Sequence, residues 1–363
     1  MKSFLFISLV FLLFPSSVRS QTRIIDEIDG QPVSAASIFD AAGNVVGYTL
    51  ADGRLSEISE VLYPITIRCL GYEPLLIAEP RDTVWQMKQC YYDMPELVVV
   101  PVERNVMKQT FYIRKYFSLC NKVDTVTFFV EHMAYRYVPA TRGVKTGVSS
   151  SMRKSRNRCY SMYKVGDMDS VAYDEDSKSP LMHSISDLND VEIHAPKSFK
   201  EDSVGYYEKA GKSGASLVKK QSSGVFTFTE DMLAEKKGHS YSPWPLKLMG
   251  LTMEITQLYN TQAFRVNETG IYMPKDLLEA SFVMEAEGRG KYIRKALKSD
   301  APVIIRSMTE LYVVDRDFFT KEEAKEEIAK GVSKMDFVIP SNVPSLNEAT
   351  RLLVKRAKSE ARK

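Results

Sequence analysis

Few residues in this chain stand at spacings that chemistry could use. Glu131 and His132 are neighbours, the shortest arrangement in which a carboxylate could orient an imidazole as a general base. They lie within Asp124 to Val138, a run rich in Val, Thr, Phe and Tyr that reads as a long strand. Adjacent side chains on a strand point to opposite faces, so the pair is expected to diverge. Gly288-Arg289-Gly290-Lys291 is too short for a phosphate-binding loop and is expected to be a hairpin turn. The chain carries no GxSxG, no HExxH, no GxxxxGK[ST] and no GxGxxG after a strand. The expectation is a protein with no catalytic residues, no cofactor and no metal site.

Two charge runs and four cysteines need a reading. Arg142, Lys145, Arg153, Lys154, Arg156 and Arg158 form a basic, serine-rich stretch, followed by the acids Asp167, Asp169, Asp174, Glu175 and Asp176. The basic run has no interleaved aromatic before Tyr160 and Tyr163, which argues against single-stranded nucleic acid. The acidic run lacks the Gly and the closing Glu of a calcium loop. A solvated hairpin followed by a mobile loop is expected instead. Cys69, Cys90, Cys120 and Cys159 match no zinc spacing. An oxidising compartment would allow three disulfide pairings, and a buried free thiol at Cys69 is an equal alternative. Ser242-Pro243-Trp244-Pro245 is a rigid, proline-bracketed tryptophan. A packed corner is the expected role of Trp244, and an exposed partner anchor is the sharper one.

The elements that must position these residues begin with a leader. Lys2, the apolar run Phe4 to Phe14, Pro15 and the small residues before Gln21 have the order of a secretory signal peptide over residues 1–20. The apolar run is too short to span a bilayer, which takes about 20 residues. No cysteine follows the expected cut, so no lipid attachment is expected there. Removal of 1–20 takes away Lys2 and Arg19 and no acid, lowering the formal charge from +3 to +1. A near-neutral chain has no field to draw in nucleic acid or an anionic membrane. No later stretch is apolar enough for a transmembrane helix, and the basic end Ser359 to Lys363 is unlike the aromatic last strand of an outer-membrane barrel.

Residues 21–102 alternate short β runs with Gly and Asp turns, the pattern of a β-sandwich. Within them, Asp29-Gly30-Gln31-Pro32-Val33, Ala36-Ser37-Ile38 and Gly47-Tyr48-Thr49-Leu50-Ala51-Asp52-Gly53-Arg54-Leu55 follow one another, then Leu70-Gly71-Tyr72-Glu73-Pro74 and Pro95-Glu96-Leu97-Val98-Val99-Val100. This series resembles carboxypeptidase regulatory-like domains, as carried by exported proteins of Bacteroidetes type. The match departs from the family at Leu55, where an aromatic is usual, and lacks the opening glycine. The resemblance implies a transthyretin-like accessory sandwich of about seven strands, not a peptidase. A zinc carboxypeptidase also needs His-x-x-Glu. The residues three beyond His132, His183, His194 and His239 are Tyr135, Ser186, Lys197 and Ser242. Asp82-Thr83-Val84, Asp124-Thr125-Val126, Asp169-Ser170-Val171 and Asp202-Ser203-Val204 resemble the O-glycosylation site of exported proteins of the same group, with Ser170 and Ser203 in the more loop-like contexts.

Val106, Thr110, Ile113, Phe117 and Cys120 recur at helical spacing, which predicts a helical connector over residues 103–122. Residues 123–363 read as an α+β domain, mainly antiparallel sheet. Its further strands are expected at Val191 to Ala195, Gly224 to Thr229, Leu251 to Leu258, Gln262 to Val266, Glu279 to Glu285 and Val303 to Val314. Short helices are expected over Asp231 to Lys237, after the Thr320/Glu323 capping box, and after Ser345 with Glu348. The resulting expectation is a non-catalytic binding or scaffold protein, periplasmic or associated with the outer membrane, with an envelope or outer-membrane protein as partner and no nucleic acid. The alternatives are an envelope glycan- or peptide-acting enzyme of unrecognised type and a periplasmic carrier of a hydrophobic ligand.

Overall fold

A computed structural model describes residues 22–362 apart from 57, 60–61, 81–83, 91–102, 142–144, 177–199, 202–205, 208–215, 223, 235, 237, 239, 243–250, 267–271, 298–300, 332–334 and 341–342. The leader expected at 1–20 lies outside the described residues, as do the strand expected at Val191 to Ala195 and both Trp244 and Ser203.

The described residues of the N-terminal segment make six short strands. They are β1 (Arg23–Asp26), β2 (Ser37–Phe39), β3 (Val45–Tyr48), β4 (Ile65–Arg68), β5 (Leu75–Ile77) and β6 (Val84–Met87). Four form an antiparallel sheet in the order β3-β2-β4-β5, and β1 pairs with β6 in parallel. Ile24, Ala36, Ile38, Ile65, Ile67 and Met87 fill the space between them. Gly53 is required where it stands. Its φ is +76°, and a Cβ there would run into the Ile24 carbonyl. The close approach lets the Ile24 amide donate to the Gly53 carbonyl at 2.8 Å.

The rest of the chain is dominated by one nine-stranded antiparallel sheet. Its strands are β7 (Val106–Cys120), β8 (Thr125–Pro139), β9 (Arg153–Val165), β10 (Met168–Glu175), β13 (Ser216–Ser222), β14 (Val225–Asp231), β15 (Leu251–Arg265), β16 (Leu277–Gly290) and β17 (Val303–Phe319). Two-residue strands β11 (Lys200–Glu201) and β12 (Tyr206–Tyr207) pair with each other apart from it. The order is β10-β9-β8-β7-β17-β16-β15-β14-β13, so the last strand returns to lie beside the first. Helices α1 (Lys291–Leu297), α2 (Lys321–Ala329) and α3 (Glu348–Glu360) complete the described elements, with a 3-10 turn at Pro274–Asp276. The mostly β, antiparallel character with few helices agrees with the sequence reading.

The helical connector does not form. Residues 106–120 are the fifteen-residue central strand β7, paired with β8 on one side and β17 on the other. Nearly every residue of β7 is buried, because both faces of the sheet are covered here. A strand buried on both faces has no alternation to read, and its apolar run is indistinguishable from a buried helix by period alone. Phe111, Tyr112, Ile113 and Tyr116 supply the β-branched and aromatic content that decides it.

Smaller corrections have equally local causes. The two strands expected at Leu251 to Leu258 and Gln262 to Val266 are one, β15, which ends at Arg265. The residues after Asp231 form a turn in place of a helix, since the Asp231 carboxylate caps the Leu233 amide at 2.9 Å. Gly288 and Gly290 continue β16 straight into α1, so there is no hairpin turn there. The basic residues from Arg153 to Arg158 and the acids from Asp169 to Glu175 lie on the two arms of one hairpin, β9 and β10, in which Arg158 faces Glu175. Thr320 and Glu323 do form a reciprocal capping box at α2. At α3 the cap is Asn347, whose side chain accepts from the Thr350 amide, and not Ser345.

Candidate functional site

Strand register places a row of charge across the middle of the large sheet. Glu310 of β17 lies opposite Arg114 of β7, Arg114 opposite Glu131 of β8, Glu131 opposite Arg158 of β9, and Arg158 opposite Glu175 of β10. Directly opposed side chains share a face, so acid and base alternate over five strands. One row over on the same face lie the aromatics Tyr116, Phe129, Tyr160 and Tyr173, with successive ring centroids 5.1, 5.9 and 5.1 Å apart.

The N-terminal segment is seated on this face. Phe39 of β2 meets the Tyr116 ring edge-on at 5.3 Å. The Val45 amide donates to Ser118 Oγ at 2.8 Å. Arg68, at the end of β4, is 2% exposed and reaches Glu310 with Nη2 at 2.9 Å and Nε at 3.2 Å. Its Nη1 donates to the Ser345 carbonyl at 2.6 Å, just ahead of α3. Arg114 Nη1 donates to the adjacent Pro344 carbonyl at 2.6 Å and lies 4.0 Å from Glu310. Tyr116 Oη adds a 3.3 Å hydrogen bond to Glu310 Oε2. Burial opposes the charge on Arg68, and the neighbouring Glu310 more than restores it, so its pKa is held above the ordinary arginine value. On the far side of Arg114, Tyr112 Oη donates to Glu131 Oε1 at 2.5 Å and receives Arg114 Nε at 3.2 Å.

Glu279 of β16 is the group this network leaves out. It lies opposite Tyr312 in the register, hence on the same face as Glu310 and diagonal to it. It is 2% exposed, and its buried Oε1 has no hydrogen-bond partner among the described residues. Burial, with the charge of Glu310, pushes its pKa up to about 8. Glu279 is therefore largely a neutral acid at pH 7. Tyr312 is pushed well above the usual tyrosine value by burial and by the same two carboxyls.

A buried carboxyl with a raised pKa beside a second carboxyl is the raw material of acid–base chemistry. Here, however, Glu310 is enclosed by Arg68, Arg114 and Tyr116, and the ligands it holds are the walls of the fold. What the arrangement does is fasten the N-terminal segment and the 344–345 backbone to the sheet.

The residues singled out from sequence fall elsewhere. Glu131 and His132 do diverge: Glu131 joins the charge row, while His132 lies on the opposite face of β8, across from Ile113 and Asn157. Ser170 is half-buried on β10, in a strand and not a loop, beside Asp169, which pairs with Arg356 of α3 at 2.7 Å. The four cysteines form no disulfide with one another, with Cys159 buried and the other three half-buried. Among the described residues no group of three His, Cys, Asp or Glu side chains could hold a metal ion. No described helix is long and apolar enough to cross a membrane. Sequence reasoning missed Arg68, Arg114, Glu279 and Glu310. For Arg68, Glu279 and Glu310 the signal was a lone charge inside an apolar β run, as in Ile65-Thr66-Ile67-Arg68-Cys69-Leu70 and Leu277-Leu278-Glu279-Ala280-Ser281-Phe282.

No known family model and no curated protein matches the chain. Among solved structures, an acetoacetate decarboxylase-like enzyme from Sphingomonas wittichii RW1 aligns over 63% of this chain and 99% of its own. The identity is 9% and the TM-score 0.12, a likeness too slight to bear on fold or activity.

Proposed function

We propose that this is a non-catalytic, exported binding or scaffold protein of the cell envelope, whose N-terminal segment is a carboxypeptidase regulatory-like module docked on the large sheet. The observation that carries the reading is the seat of Arg68. A buried guanidinium engaged by Glu310 and a backbone carbonyl fastens two parts of a fold, and the ion pair serves docking. The leader-like residues 1–20 support export. The test is expression in a Gram-negative host, followed by fractionation and crosslinked pull-down from the envelope. Recovery of a processed chain with an envelope protein supports the reading. Recovery of an unprocessed chain in the cytosol, or of a soluble chain with no partner, overturns it.

One observation favours a second reading, an enzyme acting on envelope glycan or peptide: Glu279 and Glu310 share one buried space in different environments. Hydrolysis of cell-wall fragments by the purified protein, abolished by Glu279→Gln, would establish it.

A further inference from the structure

Glu279 sits where the N-terminal segment meets the sheet, and the charges around it are already balanced. From the N-terminal segment it is faced by Arg68, through Glu310, and by Cys90, whose thiol is raised by burial and by the charges of Glu73 and Glu279. From β17 it is faced by Glu310 and Tyr312, and from β7 Arg114 acts on the same two residues. Arg68 and Arg114 on one side, Glu310 and Glu131 on the other, already neutralise each other. A charge on Glu279 would be a second buried carboxylate beside Glu310 with no cation left to meet it. An unpaired buried charge is the costliest arrangement such an interface can hold.

We propose that docking of the N-terminal segment on the sheet is proton-linked through Glu279: the segment seats on the protonated acid, and raising the pH loosens the seat while leaving the strand pairing of the sheet intact. The geometry gives the reason. Glu279 is covered in the docked state and shares its face with Glu310, the residue Arg68 grips. Undocking would open this face to water, where a carboxyl ionises freely. The docked form then binds one proton that the undocked form releases. In the range between an ordinary glutamate and the raised value near 8, that linkage weakens docking up to about tenfold for each pH unit. Above the raised value the effect levels off. The inference holds whether or not the protein works in the envelope.

The test uses the full chain carrying Trp244→Phe, which leaves Trp85 of β6 as the only tryptophan. Urea unfolding is followed by Trp85 fluorescence and by far-ultraviolet circular dichroism of the sheet, at pH 5.5 and pH 8.5. The expected result is one shared transition at pH 5.5. At pH 8.5 the Trp85 midpoint drops by about 1 M urea or more and separates from the sheet signal. Glu279→Gln, neutral at every pH, keeps the two transitions together at both. Arg68→Met separates them at both and shows that separation is detectable. Coincident transitions in the parent chain at both pH values overturn the proposal, as does separation at pH 8.5 that Glu279→Gln leaves unchanged. If Glu279→Gln does not fold, the parent series read against Arg68→Met decides alone.

Discussion

The hydroxyl of Tyr48 is inserted into the backbone ladder beside Ser307. It receives the Ser307 amide at 3.0 Å and donates to the Met284 carbonyl at 2.7 Å. Met284 and Ser307 are direct register partners on β16 and β17, so a side chain from β3 stands in the pairing of two strands more than two hundred residues away. Burial is complete at Tyr48, and its pKa is raised by that burial and by Glu285. The hydroxyl therefore stays protonated and can serve as donor and acceptor at once.

Tyr48→Phe keeps the ring and removes that hydroxyl, leaving a buried amide without its acceptor. The expected loss is about 1–3 kcal/mol of unfolding free energy. Tyr48→Ala, which also opens a cavity, should lose about 3–5 kcal/mol. Urea titration followed by circular dichroism measures both. A Tyr48→Phe protein as stable as the parent would show that the hydroxyl contributes nothing to holding the segment.

Arg68 and Glu310 should behave as a coupled pair. Arg68→Met strands a buried carboxylate beside Arg114, and Glu310→Gln strands two guanidinium groups. Each single change is expected to cost about 3–5 kcal/mol. The double replacement Arg68→Met with Glu310→Gln should cost clearly less than the sum, because Arg68 and Glu310 no longer strand each other. A double-mutant cycle in urea measures the coupling, and additive losses would rule out a direct interaction.

How much of this was legible beforehand follows from what sequence encodes locally. The Gly-punctuated strands between Arg23 and Met87 could be read because turns need particular residues, as at Gly53 with its positive φ. The Thr320/Glu323 cap could be read because both partners lie within one helical turn. The strand β7 could not, because burial on both faces erased its alternation. Nor could the charge row. Glu310 meets Arg114 only because β17 returns to pair with β7, and Arg68 arrives from a different sheet. Long-range register has no local signature, so Arg68, Glu279 and Glu310 looked like stray charges in apolar runs, and Arg158 and Glu175 like parts of two separate charge runs.

Stability of the whole chain should fall as pH rises through the neutral range. The folded-state pKa of Glu279 is raised to about 8, while the unfolded chain has an ordinary glutamate near 4.5. The folded form therefore holds a proton that the unfolded form has lost. The stability associated with that proton is fully present below about 4.5 and disappears progressively until pH passes about 8. Each tenfold difference in proton affinity between the two forms is worth about 1.4 kcal/mol, so the whole span approaches about 4–5 kcal/mol. Thermal melts of parent and Glu279→Gln between pH 5 and pH 9 check this. The parent midpoint should decline across the range and the variant should be nearly flat, with the variant the more stable at pH 8.5. Parallel pH profiles for the two proteins would remove Glu279 as the source.

Thiol reactivity should rank with burial. The thiolate is the reactive form, so a thiol that is both covered and raised in pKa is doubly protected. Burial, with a contribution from Asp174, pushes Cys159 up to about 12, and it lies beneath the sheet face opposite Val130. Burial also raises Cys120, at the end of β7, where a hydrogen bond from Thr125 only partly offsets it. Cys90 is raised by burial too but lies in the connecting backbone after β6, where chain motion can expose it more readily than a central strand. Alkylation of the native protein at pH 8 should therefore modify Cys90 well before Cys120 and leave Cys159 intact until denaturant is added. Mass mapping of iodoacetamide adducts against time checks the order. Early labelling of Cys159 would mean that β9 opens far more easily than a strand paired on both sides allows.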